Sequence, residues 1–159
     1  MTEFEAGENF QLGQLESGPP VDGPHVWRTL GYERVVWEPG HQVIEWKATE
    51  DYAFPAFAGY IVHGGLVSTL LDTAMGGAAW TLLDRDEAFL TSNLNVEFMR
   101  SAHPGLLRGS GKVVNRTKRA IFCSSELFDE DGKLLAAARC TQIILPGKGP
   151  AGRPHRNER

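Results

Sequence analysis

From Ile61 to Leu83 this chain runs almost without charge: Ile61-Val62-His63-Gly64-Gly65, then Leu66 through Ala74, then Met75-Gly76-Gly77-Ala78-Ala79-Trp80-Thr81-Leu82-Leu83. Beyond the histidine, Asp72 is its one ionisable residue. An apolar segment of this length has two homes, a bilayer or the middle of a globule. Asp72 at its centre costs roughly 2.5–3.5 kcal/mol on insertion, and His63, the glycines and the lack of a flanking basic cluster argue the same way. The segment is therefore expected to be the buried helix of a globular domain, from about Gly65 to Leu83, ended by Asp84-Arg85-Asp86. Its small residues, Ala74, Gly76, Gly77, Ala78 and Ala79, lower helix propensity but let another element approach closely.

Around this helix the pattern has period two. Pro24 to Leu30 reads as a short helix or turn, and Val35-Val36-Trp37 and Gln42 to Ala48 as strands split by Pro39-Gly40. Asp51 to Gly59 reads as a loop holding Phe54 and Phe57. Four strands follow the helix: Phe89 to Met99, Leu106 to Asn115, Ala120 to Phe128 and Leu134 to Leu145, with turn chemistry at His103-Pro104-Gly105 and Asp131-Gly132. Two strands, a long helix, then four consecutive strands make an α+β domain, an antiparallel β-sheet wrapped around one long central helix.

A chain of 159 residues with 42% hydrophobic and 23% charged residues is one ordinary domain, and a net charge of −4 gives no reason to expect nucleic acid as a partner. The ends differ. Residues 1–24 carry Glu3, Glu5, Glu8, Glu16 and Asp22 without Lys or Arg, whereas 147–159 carry Lys148, Arg153, Arg156 and Arg159. Both are rich in Gly and Pro and read as solvated tails around a domain over 25–146. No signal-peptide pattern opens the sequence, so a reducing cytoplasm is expected. Symmetric pairing about Asp129-Glu130-Asp131-Gly132 sets Cys123 opposite Ala138 and leaves Cys140 diagonal, about 7–8 Å away. That is too far for an unstrained disulfide, so both cysteines are expected as free packing residues.

The chemistry gathers on the helix. Free N–H groups at Gly64 and Gly65 would open it, and the helix dipole favours an oxyanion there. Asp72, among Leu70, Leu71, Ala74 and Met75, sits where water is scarce and needs a role or a partner. Donors plus a lone carboxylate suggest acyl chemistry. Yet Asp72 lies seven residues beyond Gly65, about 10 Å along the axis, and its side chain cannot recover that distance. A two-fold dimer with antiparallel helices would bring Asp72 of one chain near Gly64 and Gly65 of the other.

His63-Gly64-Gly65, an aspartate nine positions after the histidine and a small-residue helix resemble the hotdog-fold acyl-CoA thioesterases of the phenylacetate-degradation (PaaI-like) type, over about Gly31 to Leu145. The resemblance implies a hotdog fold and a homodimer with shared active sites, with a dimer of dimers (a homotetramer) as an extension. It implies Asp72 as base or nucleophile and hydrolysis of an acyl-CoA, with aromatic and medium-chain acyl groups as candidates. His63 is read as positioning the turn in preference to acting as a base.

The family commonly has an asparagine six residues before the histidine and a glycine three before it; here Phe57 and Tyr60 stand there. Phe54, Phe57 and Tyr60 either line an acyl pocket or pack in the core. In resembling enzymes the turn matching Arg116-Thr117-Lys118-Arg119 lies near the coenzyme A nucleotide, and Lys118 and Arg119 suit its phosphates. Thr91 and Ser92 could each place a hydroxyl near Asp72. The five histidines are scattered without ligand spacing, so no metal is expected, nor any other cofactor. Two rival functions remain open: a dehydratase or hydratase on acyl thioesters, for which no second acid–base candidate stands out, and a non-catalytic acyl-CoA binding module. No membrane partner is expected.

Overall fold

The structure, a computed structural model, describes residues 25–148 together with Glu5 and Gly7; the rest of the tails expected over 1–24 and 147–159 lies outside the described residues. In chain order the elements are α1 (His25–Leu30), β1 (Tyr32–Glu38), β2 (His41–Ala48), a single 3-10 turn (Glu50–Tyr52), β3 (Ala53–Ala56), β4 (Gly59–Val62), α2 (Gly64–Trp80), β5 (Glu87–Phe98), β6 (Gly105–Arg116), β7 (Ala120–Phe128) and β8 (Leu134–Pro146). Six strands form one antiparallel sheet in the order β1-β2-β6-β7-β8-β5, and β3 and β4 make a separate hairpin. Helix α2 lies across the inner face of β2, β6, β7 and β8. This is the hotdog architecture that the sequence points to. No helix among the described residues is long and apolar enough to cross a membrane.

Period-two patterning puts Ile44 and Trp46 of β2, Leu107 and Val113 of β6, Ile121 and Leu127 of β7 and Ile144 of β8 against α2, all buried. The helix answers with Val67, Leu70, Leu71, Ala74, Met75, Ala78 and Ala79. It approaches closely because side chains are missing where it crosses. A Cβ on Gly111 of β6 would overlap the backbone of Ala74 and Met75, and one on Gly77 of α2 would overlap the amide of Gln42. Gln42 is fully buried, yet satisfied: its Nε2 donates to Thr73 O at 2.9 Å, and its Oε1 accepts from Arg34 Nε at 2.8 Å. The Arg34 guanidinium stacks 4.8 Å from the Trp27 ring and 4.0 Å from the Trp37 ring. Burial lowers its pKa to about 10.

Three details differ from the sequence expectation. The segment read as a loop, Asp51 to Gly59, holds the 3-10 turn and the hairpin strand β3, because Ala53 to Ala56 pairs with Gly59 to Val62. Helix α2 ends at Trp80, where Thr81 turns its hydroxyl back to Ala78 O and accepts from Gly40 N; Leu82 and Leu83 leave the helix and stay buried. The β7–β8 register also moves. Asp129 pairs with Lys133 around a three-residue turn in which Gly132 takes φ +79°, and an extra residue at Leu135 shifts the pairing again. Cys123 therefore faces Cys140 directly, not Ala138; both are buried and free.

The close crossing makes a stability prediction. Gly111→Ala should destabilise the fold by about 3 kcal/mol, because the added methyl meets backbone and only a shift of α2 or β6 can make room. Urea unfolding checks it: an unchanged midpoint would show that the crossing tolerates a side chain.

Candidate active site

Helix α2 carries two polar features, one at its N-terminus and one halfway along. At the N-terminus His63 is the cap residue, and its Nδ1 accepts a hydrogen bond from Gly65 N at 3.0 Å. A ring nitrogen that accepts is unprotonated, so the imidazole proton lies on Nε2 and the Nδ1 lone pair is engaged. The Gly65 N–H is consequently occupied. That leaves Gly64, the first helical residue, whose N–H has no intrahelical acceptor and meets no other among the described residues. Ser68 Oγ and Thr69 Oγ1 bond back to Gly64 O and Gly65 O at 2.9 and 2.8 Å, tightening the first turn. Of the two donors read from sequence, one is used by the cap and one remains.

Gly64 also borders a cavity of about 410 Å³, and a Cβ built on it would stand 3.2 Å from Cζ of Phe98. The Phe98 ring therefore lies in close contact with Gly64.

Halfway along α2, Asp72 is half-buried and accepts from Thr91 Oγ1 at 3.1 Å. Burial pushes its carboxyl pKa above the ordinary 3.8, while the Thr91 hydrogen bond pulls in the opposite direction. Ser92 does not share this position. It lies at the bulge in β5, and its hydroxyl donates to Thr141 O at 3.2 Å. The two hydroxyls were interchangeable in sequence; the pleat of β5 separates them.

The remaining candidates lie apart. Phe57 sits in the β3–β4 turn at 113% relative exposure, and Phe54 and Tyr60 are exposed too, so none of the three packs in the core of this chain. Phe54 borders the cavity beside Gly64; Phe57 and Tyr60 do not. In the β6–β7 turn, Thr117 Oγ1 accepts from Arg119 N and Ala120 N at 3.3 and 3.1 Å, which fixes the backbone and leaves the side chains of Lys118 and Arg119 exposed. Arg116, which belongs to the same basic run, is instead tied to Glu87 at 2.6 Å and Asp84 at 3.7 Å. Among the described residues no group of three His, Cys, Asp or Glu is placed to hold a metal ion.

Sequence reasoning missed two residues. Phe98 was part of a strand with no further role, and Cys123 was placed opposite the wrong partner. Its hydrogen bond to Cys140, together with burial, pushes the Cys123 thiol pKa far up, and the charge of Asp72 adds to this.

Comparison with known proteins agrees with the fold and, in general terms, with thioester hydrolysis. Residues 59–136 match the thioesterase superfamily. The chain is 29% identical over 116 residues to a 1,4-dihydroxy-2-naphthoyl-CoA hydrolase of Listeria monocytogenes, covering 73% of this chain and 92% of that one. Among solved structures, a phenylacetic acid degradation-related protein of Ralstonia eutropha superposes with a TM-score of 0.72 at 28% identity, over 82% of this chain and 97% of the other. A thioesterase family protein of Silicibacter pomeroyi gives 0.70 at 26% identity, over 77% and 90%. These likenesses, together with the fold, support thioester hydrolysis by a hotdog domain whose residues 59–136 match that superfamily.

The raised pKa of Asp72 sets the sign of a stability effect. A carboxyl whose folded pKa exceeds its unfolded value adds stability below the unfolded pKa and loses it as pH rises through the folded one. The ionised form is therefore a burden at neutral pH. Asp72→Asn keeps an acceptor for Thr91 and removes that burden. Its melting temperature should exceed the wild type's at pH 7, and the gap should close as the pH falls to about 3.8 and below. A gap of constant size across that range would refute the buried-charge account.

Proposed function

We propose that this thioesterase-superfamily protein is a cytoplasmic acyl-CoA thioesterase, working as a homodimer whose two active sites are each shared between chains. In each site the Gly64 N–H of one chain receives the carbonyl oxygen of the thioester as it gains negative charge. The Asp72 carboxylate of the other chain attacks the carbonyl carbon or takes a proton from the attacking water. Thr91 holds that carboxylate in position. His63 shapes the turn, its Nδ1 being engaged by Gly65. Lys118 and Arg119 hold the phosphates of coenzyme A. The hydrolysis needs neither metal nor redox cofactor, and two free buried thiols suit a reducing compartment.

The observation that carries this reading is strand β5. Among the described residues it ends the sheet with one edge unpaired, and Leu90, Leu94 and Phe98 along it are exposed. Long apolar edges of this kind are normally paired or covered. The same strand touches both halves of the site, Asp72 through Thr91 and Gly64 through Phe98. Those contacts lie seven residues apart, about 23 Å along an extended strand. Antiparallel pairing of two β5 strands about a two-fold axis near Leu94 and Asn95 sets Phe98 of one copy beside Thr91 of the other. Carboxylate and donor then meet across the interface, twice.

Mixed dimers test the sharing. Asp72→Asn should lose about 10²-fold or more in kcat, the scale of removing a positioned base. Gly64→Pro should be inactive too, since proline is tolerated at the first helical position but has no N–H to donate. Subunit exchange between the two variants builds one site with both defects and one with neither. Release of free acid and coenzyme A should return to about half the wild-type rate per heterodimer. If exchange is verified and no activity returns, each site lies within one chain.

The nucleotide contact is tested separately. Lys118→Ala combined with Arg119→Ala should raise KM for acyl-CoA with little change in kcat, and should spare a short thioester lacking the nucleotide, because the pair contributes uniform binding. Equal effects on both substrates would reduce these residues to a structural part of the turn.

A further inference from the structure

The cavity beside Gly64 has a cause that can be read across the sheet. One inward-facing row of side chains runs Ile44, Gly109, Leu127, Ala136 and Phe98, from β2 through β6, β7 and β8 to β5. At Gly109 the missing side chain is replaced by Leu70 of α2, which stands 3.2 Å from where a Cβ would be. Ala136 also leaves a gap, and there α2 supplies no substitute. Ala136, Leu127, Val62 and Val67 are buried at 5% exposure or less and form the floor of the resulting cavity. Phe54 and Phe98, 46% and 56% exposed, line its open side together with the exposed Met99, Arg100 and Ser101. Phe98 points toward the helix side of the sheet yet remains half in solvent, its ring against Gly64.

We infer that this cavity is the acyl-selectivity pocket, that Ala136 sets its depth, and that Phe98 guides the acyl group past the Gly64 N–H into it. The inference rests on the thioesterase reading and deepens it by naming the substrate class: a bulky apolar acyl group, preferred to acetyl. Three features support it. A volume of about 410 Å³ lies in the range of roughly 300–1,000 Å³ typical of pockets for small organic ligands, well beyond the needs of two carbons. The floor is aliphatic, so it rewards each additional carbon that leaves water. The donor Gly64 stands at its edge, so a thioester oxygen held there leaves the acyl chain facing the opening between Phe54 and Phe98.

The test is a ratio, which cancels any loss of folded enzyme. Wild-type kcat/KM is measured for acetyl-, octanoyl- and benzoyl-CoA, and the better of the two bulky substrates is compared with acetyl. The wild-type ratio should favour the bulky acyl group. Ala136→Leu fills the floor and should lower that ratio by about ten-fold or more, the scale on which apolar pockets reject excess methylenes. Should the leucine prevent folding, Ala136→Val lowers the ratio by a smaller step in the same direction. Phe98→Ala should also lower it, by removing the wall that guides the chain. A ratio that Ala136→Leu or Ala136→Val leaves at the wild-type value overturns the pocket while leaving the thioesterase reading intact. Absence of hydrolysis with every acyl-CoA, by a folded wild type, overturns that reading instead.

Discussion

Where α2 crosses β6, the approach is so close that a Cβ on Gly111 would overlap the backbone of Ala74 and Met75, and beside them Gln42 spans from Arg34 to the carbonyl of Thr73. Every other placement in the domain depends on this crossing. A close approach removes room for water along the middle of the helix, and that desolvation raises the pKa of Asp72. The approach also obliges a fully buried amide at Gln42 to be satisfied on both of its ends, which fixes the angle of the helix over β2 as well as its distance. Leu70 drops toward Gly109 for the same reason, and the helix packs mainly on β2, β6, β7 and β8 and less on β5. What the crossing secures on one side of the sheet it leaves open on the other.

That less covered margin is β5, which touches both halves of the proposed site. Thr91 reaches Asp72 and Phe98 reaches Gly64, from opposite ends of one strand. A strand with a free edge and exposed apolar side chains is poorly satisfied alone, by hydrogen bonding and by burial alike. Pairing two such edges resolves both, and under a two-fold axis it reverses the strand, which is the operation needed to join the two halves. In the proposed dimer, stability and chemistry would call for the same interface.

How much of this was legible in the sequence depends on the range of the interaction involved. The long helix, its N-terminal glycines and the lone carboxylate are local in the chain, and the alternation of the strands is local too, so order and architecture followed from Ile61 to Leu83 and the period-two segments around it. The Cys123–Cys140 pairing was not legible, because two added residues, one in the turn at Gly132 and one at Leu135, each shift the register by one. The hairpin β3–β4 was hidden by Pro55 and the aromatic residues around it, which read as loop. The site was legible in its parts but not in their engagement. Nothing local distinguishes Thr91 from Ser92, or tells that His63 would occupy the Gly65 N–H. Phe98 acquired meaning only when the sheet set it across from Ala136 and beside Gly64, residues far from it in the chain.

Three side chains around the middle and start of α2 could in principle attack or activate, and their surroundings sort them. Cys123 is close enough to feel the charge of Asp72, but its hydrogen bond with Cys140 and its burial hold it as a neutral thiol, a poor nucleophile. His63 spends the lone pair of Nδ1 on the helix cap, leaving an Nε2 that carries a proton and cannot accept one. Asp72 has the opposite balance. Its burial is partial, its one direct partner is a hydroxyl that favours the ionised form, and no cation neutralises it among the described residues. A carboxylate so placed is incompletely solvated and incompletely paired, which makes it more basic than an aspartate in water. In the proposed site, the same desolvation that costs the fold stability at Asp72 is therefore what would prepare that residue, and neither of its neighbours, for work on a thioester.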